Sequence, residues 1–585
     1  MDSERIRELV YKSYSSKPSY MEIMPGVPED YRRIDTLGQL LEINYKYISV
    51  DEQMKRNLVA KRRSKRNPYP GIIGYDDVIA ATDRAILAGH DIIYIGKIGQ
   101  AKTKLAETIA RNLLSPIPAI KGCIIHDIPT TLLPAEELAR LLSGSDPEHT
   151  SLEFHICNEC EYKIRDEGLD TRIEWVDGMS RYRYVLATPD ISIKDLVGQI
   201  DATKVAKGAT LYSIESYSPG QLLQARHGIL CIDELPVLDP RKQVVLLSVL
   251  QEGKFTTGSY PVIFKPYVRV IATANPVDYT HASKIIEPLV DRFESHIVTH
   301  YPYTLRDEMA IMVQEAKVDY TSSIILPIFM LKLVARITHL AREHPDVNKE
   351  KGVSVRMSIH SLELLISEAM RVRALYNDAI AAVPRPSDIY AIVPAAKFEL
   401  SELEDSSENR RRVLEQMMEE SLKQTSIEYI MDITQEQLAS IREEFKGRSL
   451  IISQTSPWSD GGGSGSSSSN SSNSSNERGD GYNDDDGSGG IEANYENAYS
   501  IQLARFKTLL SLIDNVMLKV EKEHIEFMEY LKRHGIDTTL LEIGENSSYR
   551  IGELKASIFE LVLEGLRHMR PPVLDRRERG VYVAT

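Results

Sequence analysis

Cysteine is scarce in this chain, with four in 585 residues, which argues against a disulfide framework. Long apolar runs are missing as well. No segment approaches the roughly 18–20 consecutive apolar residues of a membrane span, and no apolar stretch follows the opening MDSERIRELV. Positive charge is in deficit: 70 Lys and Arg face 85 Asp and Glu, a net charge of −15. That balance disfavours a general polyanion binder, so nucleic acid is not an expected partner. The basic run KRRSKR at residues 61–66 reads as a solvated linker rather than a nucleic-acid patch. These absences make a cytoplasmic protein without a membrane partner the default expectation. What remains is ordinary globular composition, 42% hydrophobic and 26% charged, in a chain long enough for two or three domains.

The organising stretch is DIIYIGKIGQAKTKLAETI at residues 91–109. Ile92 to Ile95 read as a buried parallel strand, and Lys102-Thr103 opens an amphipathic helix with Leu105 and Ile109 on one face. Strand, glycine-bearing turn and helix together make a phosphate-binding loop, in which backbone N–H groups curl round an anion at the positive end of a helix. The binding set is Gly96, Gly99, Gln100, Ala101, Lys102, Thr103 and Lys104. Lys102 would reach the β- and γ-phosphates and the Thr103 hydroxyl would sit on Mg²⁺. The usual pattern has glycine where this chain has Ala101, a change that could tighten or weaken nucleotide binding.

Two further strand ends complete an ordered set. GILCIDE at residues 228–234 is an apolar run ending in two carboxylates, with Asp233 for the Mg²⁺ shell and Glu234 to polarise an attacking water. VRVIATAN at residues 268–275 ends in Asn275, an amide suited to orienting water beside a γ-phosphate. Strands alternating with helical patterns over residues 69–300 imply an α/β fold with a parallel sheet and its ligand at the carboxyl ends of the strands.

Between the first and second strand ends lies an insertion, residues 123–184. It holds KGCIIH, with Cys123 and His126, and FHICNEC, with His155, Cys157 and Cys160. Cys-x-x-Cys is a zinc knuckle spacing, Cys123 could add a third thiolate, and His126 or His155 could be the fourth ligand. A second paired knuckle is missing, which leaves free buried thiols or a redox pair as alternatives. Cys231, inside an apolar strand, reads as core.

The set GKIGQAKT, GILCIDELPVLD, VIATANP and LVDRF resembles AAA+ ATPases. Within them it is similar to the magnesium-chelatase ATPase subunit and its stand-alone bacterial and archaeal relatives. YPGIIG at residues 69–74 looks like the motif that packs on adenine. LVGQIDATKVAKG with YSPGQLLQARHG looks like the insertion these proteins carry before the second strand. EGKFTTGSYPVIFKP looks like their hairpin, with Gly258 at its tip. The likeness covers about residues 65–375.

The resemblance implies an oligomeric, hexamer-type ring that hydrolyses ATP with Mg²⁺ and remodels or activates a protein partner. Arg292 of LVDRF would be a finger reaching the neighbouring subunit's γ-phosphate, against the alternative of an ion pair with Asp291 or Glu294. Arg356, heading an amphipathic helix in GVSVRMSIHSLELL, would be the lid residue touching phosphate. No DxSxS motif of a von Willebrand A domain occurs in this chain, so a partner of that type would be a separate protein. Other functions stay open. These are a σ-factor-dependent transcription regulator, although GAFTGA is absent; a true magnesium chelatase subunit; and a low-turnover nucleotide-binding scaffold, which Ala101 permits.

The domain reading is a helical segment at 1–68, the α/β core at 69–300, a helical lid at 301–400 and a charged helical extension at 401–454. A disordered Ser/Gly/Asn linker at 455–492 and a helical C-terminal element at 493–585 follow.

Overall fold

The computed structural model describes residues 3–144, 153–206, 217–256, 263–276, 285–318, 324–374, 381–401, 405–451, 505–542, 548–578 and 581–585. The chain divides into two compact units, Met1–Tyr301 and Pro302–Thr585.

The first unit is built on a five-stranded parallel sheet. In chain order its strands are β1 (Ile92–Ile95), β2 (Tyr182–Leu186), β3 (Ile229–Asp233), β4 (Arg269–Ala274) and β5 (Ser295–Val298), and their spatial order is β5-β1-β4-β3-β2. The apolar runs IIYI and ILCI are covered on both faces, so every residue of β1 is buried and Ile229 to Ile232 are at most 1% exposed. Register brings the strand ends level: Ile95 pairs with Ala274 and with Val298, and Asp233 pairs with Leu186. The helix Lys102–Leu113 buries Leu105, Ala106, Ile109, Ala110 and Leu113, an i, i+4 stripe with neighbours.

Three expectations need correcting here. The insertion was assigned residues 123–184, but Tyr182–Leu186 is a core strand paired with β3. Its sequence YRYVL looks irregular because β2 is the sheet's edge, where only Val185 is buried. The inserted part proper is framed by an antiparallel ribbon of Ile117–Ile120 with Ile173–Val176, and it carries helices Ala135–Leu142 and Asn158–Glu167. Second, Lys61, Arg62 and Arg63 are the last turn of the helix Val50–Arg63 rather than a linker. There they suit the negative end of the helix dipole, and Arg62 pairs with Asp83 at 2.6 Å.

Two expected loops are partly described. Gly198–Ile200 and Tyr217–Pro219 pair antiparallel at the root of the insertion before β3. Phe255 and Phe264 exchange N–H···O bonds at 2.9 Å at the base of the hairpin, whose tip with Gly258 lies outside the described residues.

The second unit packs the helices Leu305–Glu315, Ile328–Glu343, Arg356–Ala369, Ser407–Ile430, Gln435–Phe445, Lys507–Arg533 and Ser548–His568. The third correction concerns the C-terminal element, which is not purely helical. Leu574–Glu578 and Val581–Ala584 form a three-stranded antiparallel sheet with Ser449–Ile451. The segments read as lid, charged extension and tail thus share one unit. Arg385 of the lid meets the buried Glu553 of the tail at 2.7 Å, Arg567 of the tail meets Glu419 of the extension at 2.5 Å, and within the lid Arg373 holds Asp388 bidentately at 2.8 and 2.9 Å. Residues 455–492, read as the linker, lie outside the described residues. No helix among the described residues is long and apolar enough to cross a membrane.

Candidate functional site: a phosphate loop beside paired carboxylates

The loop after β1 is shaped by close approach. A Cβ on Gly96 would lie 1.8 Å from Thr299 Oγ1 and 2.2 Å from Gln100 Oε1, so no side chain fits there. Gln100 is buried. Its Oε1 accepts from the Thr299 hydroxyl at 2.8 Å, and its carbonyl lies 2.6 Å from the Tyr75 hydroxyl. Gly99 has φ +76°, and Ala101 adopts the left-handed conformation at φ 49°, ψ 19°. Glycine is preferred at such a position because Cβ crowds the backbone there. The alanine carries that strain, and its carbonyl still accepts the first helical bond from Leu105 N at 2.9 Å.

Lys102 donates to the carbonyls of Gly96 and, at 2.9 Å, of Lys97, which sets its ammonium over the loop. Burial lowers its pKa to about 8 even though Asp233 and Glu234 pull it upward. Thr103 Oγ1 donates to Asp233 Oδ1 at 3.2 Å. The Thr273 hydroxyl donates to the same oxygen and accepts from Glu234 N at 3.0 Å. Tyr184 donates to Asp233 Oδ2 at 2.9 Å, and the carboxylate beside it holds the phenol above its usual range after burial has raised it. Asp233 is therefore oriented by three hydroxyls, from the helix after β1, from β4 and from β2.

Glu234 follows in a left-handed turn at φ 56°, ψ 45°, and its side chain is exposed. Asn275 stands half-buried at the end of β4, one strand from the loop, and Lys104 is half-buried on the first helical turn. The sequence reading missed Thr273 and Tyr184. The polar Thr inside the apolar run of β4 was the available signal for the first; the second was hidden by the misplaced edge of the insertion.

The remaining residues fall elsewhere. Arg292 ends the short helix Glu287–Arg292, is 41% exposed, and pairs with its neighbour Asp291 at 2.9 Å. Glu294, the other acid considered for it, accepts Asp91 N at 2.9 Å. Arg356 belongs to the second unit, exposed at the start of its helix. Tyr69 of the expected adenine motif is fully buried and donates to Asp83 at 2.7 Å. Cys123, Cys157 and Cys160 converge, but the fourth member of their cluster is the Asp127 carboxylate, not His126 or His155. His126 Nε2 lies 3.2 Å from Ser180 O instead.

Part of this geometry is similar to known proteins. Residues 172–293 match the AAA domain of the dynein-related subfamily, a span that takes in β2, β3, β4 and Arg292 and begins after the phosphate loop. The chain is 23% identical over 235 residues to the uncharacterized protein YeaC of Bacillus subtilis, covering 36% of this chain and 67% of that one. It is 24% identical over 318 residues to the ATP-dependent protease PrkA of the same organism, covering 49% and 48%. The matched region thus spans about two thirds of YeaC and about half of PrkA. A reconstruction of the complex between the magnesium chelatase subunits BchI and BchD overlaps 60% of this chain and 95% of the matched one. It does so at 16% identity with a TM-score of 0.28, too loosely to bear on function. Residues 172–293 are thus similar to the AAA domain of the dynein-related subfamily, and they lie on an α/β core with a parallel sheet, the fold class of the AAA+ ATPases.

Proposed function

We propose that this chain hydrolyses ATP as a ring-forming, chelatase-like AAA+ motor that remodels or activates a protein partner. The observation that carries the reading is the constellation around Asp233, in which Thr103, Thr273 and Tyr184 all bond to one carboxylate beside the Lys102 ammonium.

The residues suit a nucleotide with its metal. Gly96 lets Thr299 and Gln100 pack against the turn, which fixes the loop backbone at the N-terminus of the following helix, where N–H groups suit phosphate. Thr103 and Asp233, 3.2 Å apart, are the hydroxyl and carboxylate that would hold Mg²⁺, which when bound neutralises charge on the β- and γ-phosphates. Lys102 would bind the phosphates as a point charge. Glu234, exposed at the strand end, would accept a proton from the attacking water, with Asn275 helping to orient it. The pair of Arg292 with its exposed neighbour Asp291 lies at the surface, where such pairs are worth about 0–1 kcal/mol, so the guanidinium can exchange partners at little cost. Supplied to a neighbouring subunit, it would stabilise the transferring phosphoryl group by about 10³-fold or more. Arg356 would act from the lid, and any von Willebrand A-type partner would be a separate chain.

The test is ATP turnover against protein concentration for the wild type and for Lys102→Ala, Glu234→Gln and Arg292→Ala. Specific activity that rises with concentration and is lost in all three supports a shared-site ring. ATP binding without turnover at any concentration would favour a nucleotide-binding scaffold, and no binding would end the proposal.

A further inference from the structure

The insertion carries a second cluster that the ATP site does not use. Cys123, Asp127, Cys157 and Cys160 present three sulfurs and a carboxylate oxygen that all lie within 4.8 Å of one another. Thirty-four positions separate Cys123 from Cys157 along the chain, so this convergence is a product of the fold. A tetrahedral zinc with Zn–S of about 2.3 Å needs ligand atoms about 3.8 Å apart, a contraction that rotamer adjustment alone can supply.

The surroundings are those of a prepared metal shell. Cys157 is the N-cap of the helix Asn158–Glu167 and Cys160 lies in its first turn, so both sulfurs sit at the positive end of the helix. The Asp127 N–H donates to Cys123 Sγ at 3.4 Å, a backbone bond that favours thiolate. Asp127 uses its two oxygens differently. Oδ1 accepts from the fully buried Arg226, whereas Oδ2 faces the cluster, 3.4 Å from Cys123 Sγ, and accepts Cys157 N at 2.7 Å. One carboxylate oxygen on a metal and the other on an outer cation is how ligands are oriented and excess anionic charge is offset. Arg226 is itself fixed by His155 O at 2.7 Å and by the faces of Phe154 and Tyr267 at 5.2 and 5.8 Å. Ile125, Ile156 and Ile164 are buried in the same core cluster as Cys123 and Cys160. A disulfide would satisfy only two of the three sulfurs, and none of the four cysteines is so bonded.

We propose that Cys123, Cys157, Cys160 and Asp127 bind one structural zinc ion, which staples the insertion to the segment that enters the carboxylate-bearing strand β3. Arg226 stands three residues before Ile229, the first residue of β3, so the metal fixes the start of the strand whose far end is Asp233. The ion is not catalytic, since the protein fills all four positions.

The test is metal analysis of the full chain purified under reducing conditions, followed by cobalt substitution. One zinc per chain is expected, retained in Cys231→Ala and lost in Cys157→Ser and Cys160→Ser. Should those serine variants fail to fold, the wild type decides: Co²⁺ should give an intense thiolate charge-transfer band and tetrahedral ligand-field bands, the latter shifted in Asp127→Asn. A folded wild type that takes up neither zinc nor cobalt overturns the proposal. Octahedral cobalt bands overturn it too, and cobalt bands unmoved by Asp127→Asn remove Asp127 from the ligand set.

Discussion

Ala101 is where the loop departs most sharply from the ordinary pattern, and its conformation makes the effect of Ala101→Gly calculable. At φ 49° and ψ 19° an L-residue with a Cβ is strained by about 1–2 kcal/mol, which glycine does not suffer. Glycine gives back about 0.5–1 kcal/mol through its freer unfolded chain. Ala101 is exposed, so removing its methyl leaves no cavity. The balance is a loop more stable by about 0.5–1 kcal/mol, or roughly two- to fivefold in its opening equilibrium. Hydrogen exchange reads this locally: the Leu105 amide, which bonds to the Ala101 carbonyl, should slow by that factor in Ala101→Gly. It should speed up in Ala101→Val, because a β-branched residue tolerates the left-handed region worse. ATP affinity should rise by no more than the same factor. A glycine variant that exchanges as fast as the wild type, or a valine variant that matches it, would refute the strain argument.

Other consequences follow from the same geometry. Lys102 has its pKa lowered to about 8 by burial, and phosphate should restore its proton. ATP binding should therefore take up a proton at pH 9 and weaken as pH rises through 8, which calorimetry in two buffers of different ionisation enthalpy detects. Absence of proton uptake would contradict the assignment. The sign for stability is opposite: between pH 8 and the ordinary lysine value the unfolded chain holds the extra proton, so this group makes the fold more stable as pH rises. Thr273→Val removes the hydroxyl shared by Asp233 and Glu234 N, and losing a bond to a charged group costs about 1.5–3 kcal/mol. Turnover should drop about 10- to 100-fold with little change in ATP affinity; equal losses in both would point to a binding role. In the second unit, Arg385→Met leaves the buried Glu553 and Glu560 carboxylates short of their cation. Breaking such a pair costs about 3–5 kcal/mol, so the urea midpoint should fall clearly, and an unchanged midpoint would show that the pair is dispensable.

How much was legible in the sequence depended on whether packing or partners set the signal. Strand β1 and the start of the helix at Lys102 could be read to the residue, because a run buried on both faces and an amphipathic stripe are local patterns. Edge strand β2 could not. YRYVL buries only Val185 completely, so nothing in its pattern demands a sheet, and Tyr184 was lost with it. Asp127 escaped because metal spacing rules look for cysteine and histidine, whereas its place beside three thiols is decided by a turn and by Arg226, 99 positions away. The strand LDRRE at residues 574–578 is likewise set by pairing, joined through Val581–Ala584 to a segment more than a hundred residues earlier.

The central claim is a shared ATP site, and mixing subunits tests it most directly. Arg292→Ala retains its own Glu234, and Glu234→Gln retains its own Arg292, so neither homogeneous protein should turn over ATP. In a mixture, some sites combine an intact Glu234 with a neighbour's intact Arg292. The account predicts that turnover reappears on mixing two inactive proteins and peaks near equal proportions. Inactivity at every ratio, with ring assembly verified by light scattering, would contradict it.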